Sequence, residues 1–220
     1  MAIMDMSGVP DTEQPRRHEP KRPAPRKYTG DADEADPRTW ELYKEFDLGE
    51  HVKVEFIEGN IVVRGAASLQ HARLITWLID CLRQRCAEEG WDRVSDCHLE
   101  LPAPAQGIRP DLLVIRDADA LDPDDDGMDP EQVVLAAEVV SPDTTRDDRE
   151  LKRLSCARCD IPLYLLIDRY AKRPVISFFS DPSHDGYQAT GTVRMGEGGG
   201  QLHLPAPLNL TLDASTVPVR

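Results

Sequence analysis

Apolar and polar positions alternate from Val52 to Val63, where VKVEFI and IVV flank Glu58-Gly59-Asn60. A glycine-asparagine pair between β-rich runs predicts a hairpin. Before it, Trp40 to Phe46 reads as a short helix with Trp40, Leu42 and Tyr43 on its apolar stripe, ended by Asp47-Leu48-Gly49. After it the period lengthens. Leu74, Trp77, Leu78, Cys81 and Leu82 recur every three or four residues, Ser68 stands in the N-cap position and Gly90 closes the run. This predicts an amphipathic helix over about Leu69 to Glu89. Arg93 to Leu101, Asp111 to Arg116, Val133 to Val140, Leu163 to Asp168 and Val175 to Ser180 read as strands, with a weaker one at Thr190 to Met195. A Pro/Gly loop joins the first two. Asp111 to Arg116 and Val133 to Val140 show no two-residue period, as expected of central strands buried on both faces. Ser141-Pro142 stops the second. Thr145, with Asp148 three positions on, resembles a capping box that opens a helix to about Arg158. The order hairpin, helix, strands, helix, strands predicts a mixed sheet with helices against it, α/β or α+β.

Two carboxylates interrupt the strongest apolar runs: Asp111 in RPDLLVI and Glu138 in VVLAAEVVSP. A buried ionised carboxylate is costly unless it is paired, hydrogen-bonded or metal-bound, so the two ask for a common partner. Mg²⁺ takes hard oxygen ligands and typically uses one or two carboxylates with waters and substrate phosphate. Asp111 and Glu138 suit that role, with the Val139 carbonyl as a further ligand. Lys152, on the helix after Glu138, completes an Asp/Glu/Lys set of the kind that cuts phosphodiesters, holding or orienting a water and offsetting developing charge. Asp148, four residues earlier on that helical face, would orient Lys152. Glu55 in the hairpin and His71 at the start of the long helix are candidates for the same cleft. Singly, each residue has a plainer reading: Asp111 capping a strand, Glu138 pairing with an arginine such as Arg109, Lys152 solvated. Glu150-Leu151-Lys152 spells E-x-K, but a helix would point Glu150 away from the strand. Asp122-x-Asp124-x-Asp126-Gly127 opens like a calcium loop, yet Val133 stands where that loop needs a bidentate Glu.

A length of 220 residues suits one domain with a genuine core. Six of the 18 prolines fall in the first 40 residues, which mix charges without apolar periodicity. Residues 1–36 are therefore expected to be a disordered Pro-rich tail before a single domain over 37–220. No apolar run approaches a membrane span or a secretory leader, which predicts a cytoplasmic protein with no membrane partner. Five scattered cysteines do not form a disulfide framework, and Cys156-x-x-Cys159 has no second ligand pair to complete a zinc site. The net charge of −14 runs against nucleic-acid binding in general. Part of the acidity is local to Asp117 to Glu131, while Arg146, Arg149, Lys152, Arg153 and Arg158 cluster after the second central strand.

VEFIEGNIVV, SLQHARLITWL, RPDLLVI, AEVVSPDTTRDDRELK and DIPLYLLID follow one another over Val52 to Asp168. Their order and spacing resemble the Uma-two family, described as putative restriction endonucleases, within the PD-(D/E)XK nuclease superfamily. The resemblance implies a restriction-endonuclease-like core, a mixed central β-sheet flanked by helices. It further implies Mg²⁺-dependent hydrolysis of DNA phosphodiesters, with Mn²⁺ able to substitute. Asp111 and Glu138 would be the metal-binding acids, Lys152 the catalytic lysine displaced onto the following helix, and Glu55 and His71 members of the site. Val140 occupies the place where the wider superfamily puts its lysine, so Lys152 must substitute. Cys156, Asp160 and Leu165 also depart from the family pattern, which bears on local packing.

Two alternatives stand beside the metal-dependent endonuclease. One is a nuclease-fold protein that has lost catalysis and works by binding DNA or protein; the other is a metal-dependent hydrolase of a small phosphoester. A homodimer would suit duplex cleavage, because one site cuts one strand.

Overall fold

The computed structural model of the chain describes residues 37–45, 52–102, 105–117, 128–142 and 144–218. The expected tail over 1–36, Phe46, and the calcium-like stretch over 122–127 lie outside these residues. Among the described residues no helix is long and apolar enough to cross a membrane.

Helix α1 (Pro37–Lys44) lays Trp40 and Tyr43 against each other, ring centroids 5.4 Å apart, and both against Phe56. Leu42, expected on that stripe, is instead 53% exposed, because Trp40 and Tyr43, three residues apart, already fill the inward face. Strands β1 (Lys53–Ile57) and β2 (Asn60–Arg64) form the predicted hairpin. Glu58 and Gly59 both have positive φ, 48° and 73°, the conformation that lets a two-residue turn follow the strand twist. Helix α2 (Leu69–Glu89) has the expected ends: the Ser68 hydroxyl accepts from the His71 amide at 3.2 Å, and Gly90 is left-handed. Leu74, Leu78, Leu82 and Cys86 form its buried stripe.

The predicted strand Arg93 to Leu101 divides in two. Asp96 takes a positive φ of 57° and breaks the run into β3 (Asp92–Val94) and β4 (Leu99–Pro102), which enter different sheets. The expected Pro/Gly loop contains a further strand, β5 (Ala105–Ile108), paired antiparallel to β4. Then come β6 (Leu112–Ile115), β7 (Val133–Val139), α3 (Lys152–Arg158), β8 (Leu163–Asp168), β9 (Val175–Ser180) and β10 (Ala189–Arg194). A hairpin of β11 (Gln201–Leu204) and β12 (Leu210–Asp213), absent from the sequence reading, follows. The Thr145–Asp148 capping box does not form. The Thr145 hydroxyl donates to the Ser141 carbonyl at 3.0 Å, and α3 is entered through a π-helical stretch over Asp147–Leu151.

The six-stranded sheet runs β10-β9-β8-β7-β6-β3, with β7 and β8 parallel, and the four-stranded sheet runs β2-β1-β5-β4. Both faces of the large sheet are covered, which explains why β6 and β7 read as unbroken apolar runs. Leu112, Val114, Leu135, Ala137 and Val139 pack toward α2 and the β11–β12 hairpin. Leu113, Ile115, Ala136 and Val140 pack with β4, β5 and Cys156 of α3. A register shift between Val114 and Ile115 keeps the two sets apart along β7. By strand alternation Glu138 belongs with Ala136 and Val140, on the face covered by the small sheet and α3.

Candidate active site

Strands β6 and β7 pair Leu112 with Ala137 and Leu113 with Ala136. Asp111 immediately precedes β6 and Glu138 immediately follows Ala137, so the two acids adjoin at this end of the strand pair, and the Asp111 charge acts on Glu138. Adjoining like charges repel, so the pair needs cations between or beside it. Asp111 leaves the ladder and uses its side chain instead: Oδ2 accepts the Val139 amide at 2.8 Å and lies 3.1 Å from His71 Nε2, while Oδ1 pairs with Lys53 Nζ at 3.2 Å.

Glu138 is met by Lys152. The π-helical stretch ends at Lys152, whose amide donates to the Asp147 carbonyl, and the side chain projects into the space over β7. Its Nζ lies 2.9 Å from Glu138 Oε1, 2.8 Å from Glu55 Oε1 and 3.2 Å from Asp148 Oδ1. Asp148 Oδ1 stands too far out of line for a hydrogen bond and is a buried acceptor paired by charge alone. Lys152 is 1% exposed and Glu55 and Glu138 no more than 2%, so this is an ion cluster closed to solvent.

Glu55 is tied on its other sides as well. Oε1 accepts the Arg109 amide at 2.9 Å, and Oε2 pairs at 3.1 Å with Arg64, which also bonds Asp147. The Tyr164 hydroxyl donates to the Asp148 carbonyl at 2.7 Å and anchors the π-helical stretch to β8.

Glu55, His71, Asp111, Glu138, Asp148 and Lys152 therefore converge from β1, α2, the start of β6, β7 and the turn into α3. The Glu138–Arg109 pairing does not occur, since Arg109 turns to Asp96 at 3.3 Å. Glu150 faces solvent, 3.9 Å from Arg146, and Cys156 and Cys159 are free thiols. Lys53 and Arg64 were not read as site residues. Their signal was the hairpin itself, where the two cations sit directly opposite each other and would repel without acids nearby.

The charges sort the carboxylates. Burial raises the pKa of Glu55, but the ammonium of Lys152, then that of Lys53, outweighs it and holds the group at about 2. Burial also opposes ionisation of Asp111, and the His71 hydrogen bond and Lys53 charge carry it well below the usual carboxylate range. Burial pushes Glu138 up; Lys152 opposes this, while Asp111 and Asp148 add to it. Burial works against a charged Lys152, yet Glu138, Glu55 and Asp148 hold it well above the ordinary lysine value. Five carboxylates, counting Asp147, thus share two ammonium groups, the Arg64 guanidinium and the His71 ring. Acid is in excess.

Among the described residues no three His, Cys, Asp or Glu side chains form a ready metal cage. Mg²⁺ requires fewer, and the adjoining hard-oxygen carboxylates Asp111 and Glu138, in a cluster short of positive charge, fit such an ion.

No curated protein matches the chain. A solved structure of a putative nuclease belonging to DUF820 from Anabaena variabilis has the same fold, with a TM-score of 0.59 at 14% identity. The match covers 74% of this chain and 88% of that one. The sequence pattern of Uma2, described as "Putative restriction endonuclease", matches residues 40–215, and the chain belongs to that family.

Proposed function

We propose that this protein is a Mg²⁺-dependent endonuclease that hydrolyses DNA phosphodiester bonds, with Asp111 and Glu138 holding the ion. The observation that carries the reading is the convergence of these two acids in one cluster where carboxylates outnumber cations. A divalent ion there supplies Lewis-acid polarisation of the scissile phosphate and neutralises developing charge. His71 and the Val139 amide fix the Asp111 carboxylate, and Lys152 fixes Glu138 and Glu55. Supercoiled plasmid incubated with Mg²⁺ or Mn²⁺ should be nicked or linearised, and Asp111→Ala and Glu138→Ala should each abolish cleavage. Cleavage that survives both substitutions overturns the assignment.

The net charge of −14 favours a second reading, a nuclease fold that binds a partner without cutting. Calorimetric titration with Mn²⁺ separates the two. Binding that disappears in Asp111→Ala and Glu138→Ala supports the nuclease, and the absence of binding in the wild type supports the second reading.

A further inference from the structure

The site holds two lysines in very different situations. An ammonium group has three N–H donors, and Lys152 faces three carboxylates from a position 1% exposed. Moving it would strand Glu138 and Asp148 without their ion-pair cation, which is strongly unfavourable in a buried setting. Lys152 is a buried counter-charge held between these acids.

Lys53 is built differently. It lies at the rim, with a side chain 17% exposed, and its one ion pair among the described residues is with Asp111 Oδ1 at 3.2 Å. That oxygen belongs to the acid that would hold the ion. Lys53 shares its strand face with Glu55, two residues on, so the same hairpin supplies both the buried acid and the cation at the rim. A lysine stem is long and flexible, and its head can swing without any backbone change.

We infer that Lys53 is a catalytic lysine of this site: it competes with a divalent cation for Asp111 and turns to the scissile phosphate when the cation takes the carboxylate. In the free state it is an internal cation competing for the metal position. In the loaded state it is a donor to a phosphate oxygen as negative charge develops there. This inference rests on the nuclease reading for its substrate, while its first half concerns only metal and protein.

The test compares wild type with Lys53→Met, Lys53→Arg as a charge-keeping variant, and Lys44→Met as a control for net charge on exposed α1. Mn²⁺ affinity is measured by calorimetry without DNA. Lys53→Met should bind Mn²⁺ about tenfold more tightly, because a competing cation is gone, and Lys44→Met should match wild type. At saturating metal, kcat for DNA cleavage should fall by about 100-fold in Lys53→Met with KM little changed, and Lys53→Arg should recover part of it. Unchanged Mn²⁺ affinity in Lys53→Met overturns the inference. Tighter metal binding with undiminished cleavage also overturns it, since Lys53 would then be a counter-ion only.

If wild type cuts no DNA, the nuclease reading fails separately. Lys53 is then judged by the anisotropy of a labelled duplex with and without Ca²⁺. Loss in Lys53→Met of a Ca²⁺-dependent gain in affinity supports the phosphate contact, and identical behaviour of the two proteins, or no gain in wild type, overturns it.

Discussion

Glu55 is buried more completely than any other acid of the site, and it is kept ionised by what surrounds it. Its folded value of about 2 is below that of an unfolded glutamate, roughly 4.3. The stabilisation is therefore complete above the unfolded value and is lost as pH falls through about 2. Glu55→Gln should lose on the order of 3 kcal/mol at neutral pH. Urea unfolding across pH should show the gap from wild type closing toward that acid limit, and a gap constant with pH would remove Glu55 from the charge cluster. Asp111 and Glu138 were legible in sequence because an acid inside an apolar run is an energetic anomaly that needs no neighbours to be noticed. Lys53 and Arg64 lie on a half-exposed hairpin, where a cation is unremarkable until the second sheet closes over it.

At the level of elements, α2, the β1–β2 hairpin and the central strands β6 and β7 were all legible, each from a period or from its conspicuous loss. Strand β5 was not. Its Gly107 reads as a loop residue, but it sits in the strand because neighbouring side chains leave no room for a Cβ: one added there would stand 2.5 Å from the Tyr43 hydroxyl and 2.6 Å from His98 Nε2. Those two groups hydrogen-bond each other at 2.8 Å and fasten α1 over the small sheet. Gly107→Ala should push them apart and cost about 1–3 kcal/mol, read as a lower melting temperature. A wild-type melting curve would mean that Tyr43 moves aside freely. The π-helical stretch was equally hidden, since the five residues over Asp147–Leu151 are too few to show a period. The sequence reading therefore identified Lys152 without revealing how three acids come to enclose it.

For the molecule as a whole, a charge of −14 opposes approach to a polyanion, so any DNA contact must be local. The turn between β8 and β9 has the opposite sign. It carries Arg169, Lys172 and Arg173 around Tyr170, which is 46% exposed, and Arg169 packs 5.2 Å from the centre of that ring. Its one acid, Asp168, is already held by Arg149 at 2.7 Å. Because β8 runs parallel to β7, with Ile167 beside Val139, the turn emerges at the same end of the sheet as the acid cluster. Lys172→Glu with Arg173→Glu should weaken duplex binding and lower the salt slope by about 2, without changing the melting temperature. Anisotropy titrations at several salt concentrations measure this, and an unchanged slope would place the DNA elsewhere.

The Val139 amide proton, given to Asp111 instead of to a neighbouring strand, also makes that peptide group a reporter. Whatever draws on the Asp111 carboxylate must alter the polarity of this single N–H, at the buried end of β7. In a ¹⁵N spectrum its resonance should respond to occupancy of the site before any chemistry occurs, and its hydrogen-exchange rate should follow how firmly the carboxylate is held.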